Sequence, residues 1–374
     1  MNIAIDGRAS TLYRGTGIGN YTYQLLNNLN KIDTTHQYNV YISENSKLDL
    51  NLKNNFSLKF SEEFTKNNFW EDIKSPNLID VNSDLYHIPQ NGIGITNNSS
   101  IPQIITLHDI IPLKMPETVS DNYLSIFDKE LPKILNSISG IITVSNYSKD
   151  DIHKTLGFPK EKIFVTHLAA ESQYKPLDKN TCKSFLKENY NLNDDYILYV
   201  GGFSPRKNIL GLIDAFCTSY PSLSPLTKLV VIGRKGVSYE IYKNRAIALG
   251  IEDKVIFTGF IPTNHMPIFY NSALMLVYPS FYEGFGLPPI EAMACGTPVI
   301  SSNLTSIPEV VDNSTMLINP SDVSDISNSI IKLATDLDFK NNLIQKGLNQ
   351  SAKFSWHKTA RETINAYENT IKLQ

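Results

Sequence analysis

Cysteine is scarce in this sequence. Cys182, Cys217 and Cys295 are scattered, odd in number and free of CxxC spacing, so neither a disulfide framework nor a zinc site is indicated. A reducing compartment fits best. Long apolar runs are also missing: the longest are strand-length, against the roughly 18 apolar residues that a spanning helix needs. An excess of positive charge is absent as well, with 34 Lys plus Arg against 37 Asp plus Glu. Up to Lys175 the count is 16 basic and 19 acidic residues, and from Pro176 on it is 18 of each. Neither half has the basic bias of a nucleic-acid binder. Met1 to Asp6 lacks the charged and apolar regions of a secretory signal, so the protein is expected to be cytoplasmic, and sequons such as Asn146-Tyr147-Ser148 read as Asn-rich composition. Asp336-Leu337-Asp338 has the spacing of a metal-binding pair but lies far from any strand end, and it reads as helix surface. No metal site is expected.

What the chain does have is a rhythm. At about 150 residues per domain, its 374 residues suggest two domains, each large enough to bury a core without staples. Short β-rich runs alternate with helical patterns throughout, the mark of parallel α/β sheets. Strands are expected at Asn2 to Asp6, Tyr38 to Ser43, Asp84 to Ile88, Gln103 to Asp109, Gly140 to Ser145 and Lys162 to Leu168. A second set is expected at Tyr196 to Gly201, Lys228 to Gly233, Lys254 to Phe260, Leu274 to Ser280, Pro298 to Asn303 and Met316 to Asn319. Two doubly wound domains follow, 1–172 and 173–356, with a helix over about 357–374 packing back on the first. Leu52 to Trp70 interleaves Phe with Lys; a membrane-facing or acceptor-facing flap competes there with an ordinary edge strand and helix.

Ligands of doubly wound sheets bind beyond the carboxyl ends of the strands. After Tyr196 to Val200 comes Gly201-Gly202-Phe203-Ser204-Pro205-Arg206-Lys207-Asn208. Its glycines permit close backbone approach, and Arg206 and Lys207 precede a helix N-terminus that favours anions. A diphosphate fits, as does a plain turn with two solvated cations. After Leu274 to Ser280 comes Phe281-Tyr282-Glu283-Gly284-Phe285-Gly286-Leu287-Pro288-Pro289-Ile290-Glu291. Were the span wholly helical, Glu283 and Glu291 would stand about 12 Å apart, a separation suited to one carboxylate on a hexose and one on a ribose. Carboxylates accept charge-assisted hydrogen bonds from vicinal hydroxyls. Both acids also suit the positive end of a helix. The loop Ser302 to Glu309, with Pro308 at a helix start, offers further backbone N–H groups.

In the first half, Gly15-Thr16-Gly17-Ile18-Gly19-Asn20 precedes a helix but departs from the dinucleotide fingerprint, with Asn20 where Gly or Ala is needed. That argues against a nicotinamide-dependent oxidoreductase or epimerase. His108 and Asp109 follow the strand from Gln103, where the imidazole meets a ligand or caps the loop; His87 is a weaker candidate of the same kind.

With these residues assembled, the chain resembles a retaining glycosyltransferase of family 4, of the GT-B fold. The resemblance is carried by Tyr278-Pro279-Ser280 with Glu283 to Glu291 and its continuation EGFGLPPIEAMACGTPVI, by YVGGFSPRKN, HDIIP, GTGIGNY, TVSNYSKDDI and FSWHKTA. The last three, with DLYHIPQN and FWED, are similar to bacterial mannosyltransferases that build O-antigen-like polysaccharides. Where family members carry a Gly-Val-Asp-like turn at the domain join, this chain has Leu168-Ala169-Ala170-Glu171.

The resemblance implies two Rossmann-like domains facing a central cleft and a metal-independent transfer, without cofactor, of a hexose from a nucleotide sugar to an acceptor hydroxyl. It implies GDP-mannose as donor, with UDP-sugars as the alternative, and a saccharide or lipid-linked saccharide as acceptor. A lipid-linked acceptor would bring the protein to the inner membrane face. By the same resemblance Arg206 and Lys207 neutralise the leaving diphosphate, Glu283 holds hydroxyls of the transferred sugar and Glu291 those of the ribose. Gly202, Gly284, Phe285, Gly286 and Leu287 line the donor, Gly17 the phosphates. His108 reaches the sugar from the other domain, and His87 and Asp109 are acceptor-side candidates. A non-catalytic nucleotide-binding subunit is the remaining alternative.

Overall fold

The computed structural model describes residues 1–61, 82–95, 99–234, 236 and 238–373. It divides into two compact units, Met1–Leu168 with Ser355–Gln374, and Ala169–Phe354. The division falls four residues before the expected join, because β7 (Ile163–Val165) completes the first sheet and Ala169 already belongs with the second core.

The first unit is built on a parallel sheet ordered β3-β2-β1-β4-β5-β6-β7. Its strands are β1 (Asn2–Asp6), β2 (Gln37–Ser43), β3 (Phe56–Ser61), β4 (Leu85–Ile88), β5 (Gln103–Thr106), β6 (Gly140–Thr143) and β7. Ile3, Ala4, Ile5, Leu85, Tyr86, Ile88, Ile104 and Ile105 are buried, as expected of strands covered by helices on both faces. The edge strand expected within Leu52 to Trp70 is β3; the helix proposed after it, and the FWED segment, lie outside the described residues. The helix Gly17–Ile32 is capped by the Thr16 hydroxyl, which accepts from the Gly19 N–H, and it buries Tyr21, Leu25, Leu26 and Leu29. Against it lies the C-terminal helix Trp356–Lys372, with Trp356, Ala360 and Tyr367 buried.

The second unit holds a parallel sheet ordered β10-β9-β8-β11-β12-β13. The strands are β8 (Tyr196–Val200), β9 (Lys228–Ile232), β10 (Val255–Gly259), β11 (Met275–Tyr278), β12 (Val299–Ser302) and β13 (Met316–Ile318). In both sheets the chain winds outward from one strand and then crosses to its other side. The reversals fall between β1 and β4 and between β8 and β11. Crevices form beyond the carboxyl ends of strands at such reversals.

Candidate functional site

The loops that follow β8 and β11 meet at the second reversal. After Val200 the chain makes a short turn over Pro205–Lys207 and enters the helix Ile209–Ser219 through Asn208, whose side chain accepts from the Gly211 N–H at 3.2 Å. Asn208 also donates to the Pro320 carbonyl at 2.6 Å, which fixes the turn from below. The Phe281 N–H donates to the Arg206 carbonyl at 2.8 Å, joining the two loops directly.

That junction brings the neighbouring cations Arg206 and Lys207 onto Glu283, which lies 76 positions beyond Lys207 in sequence. Lys207 Nζ lies 2.5 Å from Glu283 Oε1, and Arg206 Nη1 lies 3.2 Å from Glu283 Oε2. The Tyr278 hydroxyl accepts from Lys207 Nζ at 2.8 Å and donates to Glu283 Oε1 at 2.9 Å. Arg206 Nη1 also donates to the Tyr282 carbonyl at 2.9 Å. Burial alone would push the Glu283 carboxyl up, but Lys207 and Arg206 outweigh it and hold the group down at about 2. The Tyr278 hydroxyl, buried beside that carboxylate, is pushed well above its usual range. At neutral pH the site is therefore a carboxylate between two cations.

The glycines around Glu283 have separate reasons. Gly286 takes φ 102° as the residue before the helix Leu287–Ala294, and a Cβ there would lie 2.5 Å from Ile307 Cδ1. The turn at Gly286 means that Glu283 and Glu291 do not share one helix, so the straight 12 Å estimate does not apply. Gly202 has open space where a side chain would stand. Gly284 and Phe285 are buried, Phe285 edge-on to Phe354, and Leu287 opens the helix at partial exposure.

Glu291, inside that helix, has a different setting. Its Oε2 accepts from the Tyr270 hydroxyl at 2.8 Å, and Tyr174 packs edge-on to Tyr270 and also bonds the carboxylate. Burial pushes the Glu291 carboxyl up to about 7, with a further push from Glu171 that the two tyrosines only partly offset. Glu171 is the residue that this chain carries at the domain join. The two glutamates thus titrate on opposite sides of their ordinary value.

In the first unit, His108 follows β5 in a loop. Its backbone N–H donates to Asn91 Oδ1 at 3.1 Å, and its Nε2 faces the Pro89 carbonyl at 3.2 Å. A carbonyl only accepts, so Nε2 carries the proton and Nδ1 the lone pair. Burial lowers the ring to about 4, and Tyr21 packs edge-on against it. Asp109 accepts from the Ile111 N–H at 3.0 Å and starts the next turn. Gly17 opens its helix with nothing within 4 Å of a built Cβ. His87 has to be withdrawn as an acceptor-side candidate. It is fully buried within β4, with Nδ1 on the Tyr367 hydroxyl and Nε2 on the Thr106 hydroxyl, each at 2.8 Å.

Sequence reasoning passed over what fills the first reversal. Arg8 donates to both oxygens of Asp6, at 2.7 and 2.5 Å, and Gln90 adds a bond to Asp6 at 2.6 Å, all buried. Asp6 at the end of β1 was the signal that could have pointed to it. Among the described residues no group of three or more His, Cys, Asp or Glu could hold a metal ion.

Two family models match the chain, "Glycosyltransferase Family 4" over residues 15–171 and "Glycosyl transferases group 1" over 183–350. It is 35% identical over 265 residues to the O-antigen chain mannosyltransferase B of Escherichia coli, covering 71% of this chain and 70% of that one. It is 30% identical over 274 residues to the serotype-specific mannosyltransferase WbdA of Escherichia coli, covering 72% of this chain but 34% of that protein. Among solved structures, sucrose-phosphate synthase from Thermosynechococcus elongatus superposes with a TM-score of 0.77 at 19% identity, over 98% of both chains.

Proposed function

Since this chain belongs to the family 4 glycosyltransferases and has their GT-B fold, we propose that it transfers mannose from GDP-mannose, with retention and without a metal, to a hydroxyl of a saccharide or lipid-linked saccharide. The observation that carries the reading is the ion cluster at the β8/β11 reversal, where Arg206 and Lys207 converge on Glu283. Breaking a glycosidic bond to a diphosphate leaves growing negative charge on the β-phosphate. Two fixed cations in a partly buried site stabilise that charge without reorganising, and that is the part a metal would otherwise play. Glu283, kept ionised, accepts hydrogen bonds from hydroxyls of the transferred sugar, and Glu291 accepts them from the ribose. His108 Nδ1 accepts one sugar hydroxyl, and Gly17 lets backbone approach the phosphates. A diphosphate oxygen takes the acceptor proton. A lipid-linked acceptor would draw the protein to a membrane surface; among the described residues no helix is long and apolar enough to cross one.

Lys207→Met and Glu283→Gln should each lower nucleotide release from the donor by about 10²- to 10³-fold, the scale of losing one charge-stabilising group, with the far-UV circular dichroism unchanged. Turnover near that of the unaltered protein in either variant would overturn the assignment. Thermal shifts with GDP-mannose, UDP-glucose and UDP-N-acetylglucosamine identify the donor; a shift confined to a UDP-sugar replaces GDP-mannose by that sugar.

A further inference from the structure

The loop after β12 contains the one β-branched residue in the left-handed region among the described residues: Thr305, at φ 56°. Such a conformation is a genuine outlier for a β-branched side chain and persists only where the surroundings impose it. Two bonds do so. The Thr305 hydroxyl accepts from the Glu283 N–H at 3.1 Å, and the hydroxyl of the next residue, Ser306, donates to the Glu283 carbonyl at 2.8 Å and lies 3.2 Å from the Phe285 carbonyl. Both main-chain groups of Glu283 are thus held by adjacent hydroxyls from a loop 22 positions downstream. Ser306 is fully buried and precedes the helix Ile307–Val311, whose Ile307 is buried and would meet a Cβ at Gly286. The clamp therefore rests on a packed element.

We propose that Thr305 and Ser306 are positioning residues that fix where the Glu283 carboxylate stands, and that the strain at Thr305 is held in place by this task. The inference rests on the reading of Glu283 as the group that grips the transferred sugar. The side-chain contacts to Lys207 and Arg206 keep Glu283 charged, while Thr305 and Ser306 set its place. Thr305→Gly would adopt the same backbone without strain while losing the hydroxyl and the methyl; Thr305→Ser would lose the methyl alone and keep the hydroxyl.

The test compares Thr305→Gly, Thr305→Ser, Glu283→Gln and the Thr305→Gly/Glu283→Gln double variant. Amide hydrogen exchange over residues 282–287 should quicken in Thr305→Gly and stay near that of the unaltered protein in Thr305→Ser. Donor turnover should fall in Thr305→Gly by about 10- to 100-fold, as expected when a positioned group is misplaced. Affinity for GDP and UDP, which carry no sugar, should change less than twofold, and the melting temperature should not fall. In the double variant the glycine should add no loss beyond that of Glu283→Gln. Unchanged exchange and turnover in Thr305→Gly, equal loss of nucleoside diphosphate affinity, or failure of Ser to rescue would each overturn the positioning role while leaving the site reading intact. Unimpaired turnover in Glu283→Gln would instead overturn the site reading, and with it this inference.

Discussion

Glu283 and Glu291 lie eight positions apart, yet one is held down at about 2 and the other pushed up to about 7. Both are taken out of water; what differs is company. Glu283 has Lys207 and Arg206, whereas Glu291 has two tyrosine hydroxyls and the like charge of Glu171. A hydroxyl can donate a hydrogen bond but cannot offset the cost of a buried charge as a cation does. If Glu291 accepts the ribose hydroxyls, its carboxylate form is the competent one, since protonation removes an acceptor site. The affinity for nucleoside diphosphate should accordingly rise as pH climbs through about 7 and level off above it. Glu291→Gln should bind more weakly at pH 8 and lose that rise. Calorimetric titration of GDP from pH 6 to 8 checks both; a rise that persists in Glu291→Gln would place the titrating group elsewhere.

At the scale of elements, the helix Gly17–Ile32 separates two glycines that look alike in sequence. A Cβ on Gly19 would stand 1.9 Å from the Tyr13 carbonyl oxygen, whereas one on Gly17 meets nothing within 4 Å. Gly19→Ala should therefore cost about 1–3 kcal/mol or more, as overpacking against fixed backbone does. Gly17→Ala should leave the melting temperature unchanged, so any loss of donor turnover it brings reports ligand approach and not folding. Equal melting temperatures in the two variants would contradict the helix start described above. The same contrast marks what the sequence could disclose. Strands were legible because burial on both faces demands unbroken apolar runs such as Leu198 to Val200 and Met275 to Tyr278. Arg206, Lys207 and Glu283 were legible because they follow such runs. Tyr278 and Thr305 were not assigned roles, because their partners come from other loops and only the strand order β8-β11-β12 brings those loops together. His87 was misread because Asp84 to Ile88 looked like a strand opening onto a ligand. Inside the sheet, its ring instead meets a helix 280 positions away.

That last contact ties the C-terminal helix to the middle of the first unit's sheet. The Tyr367 hydroxyl bonds His87, the Thr359 hydroxyl donates to the His167 carbonyl at 2.5 Å, and Trp356 lies beside Tyr21. Tyr367→Phe takes one of two hydrogen-bond partners from a buried imidazole and should destabilise this unit by about 1–3 kcal/mol, with the melting of the other unit, which holds Lys207, Glu283 and Glu291, unchanged. Acid should act on the two units in opposite directions. Burial lowers His87 to about 3 and His108 to about 4 from the ordinary 6.5, so between those values the unfolded chain takes up protons that the folded unit refuses. Stability of the first unit is fully present above 6.5 and drains away as pH falls below it. In the second unit Glu291 is raised to about 7 from 4.5, so here the folded state holds the extra proton and stability grows as pH falls across that range. Glu283, lowered to about 2, withdraws its contribution only below 4.5. Acidification from pH 6.5 to 5 should therefore move the melting of the first unit down and that of the second up, resolving two calorimetric transitions. Tyr367→Phe should lower the first of these alone. A single transition that shifts as one across this range, or a Tyr367→Phe effect on the second, would show that the histidines and the glutamate do not govern the units that contain them.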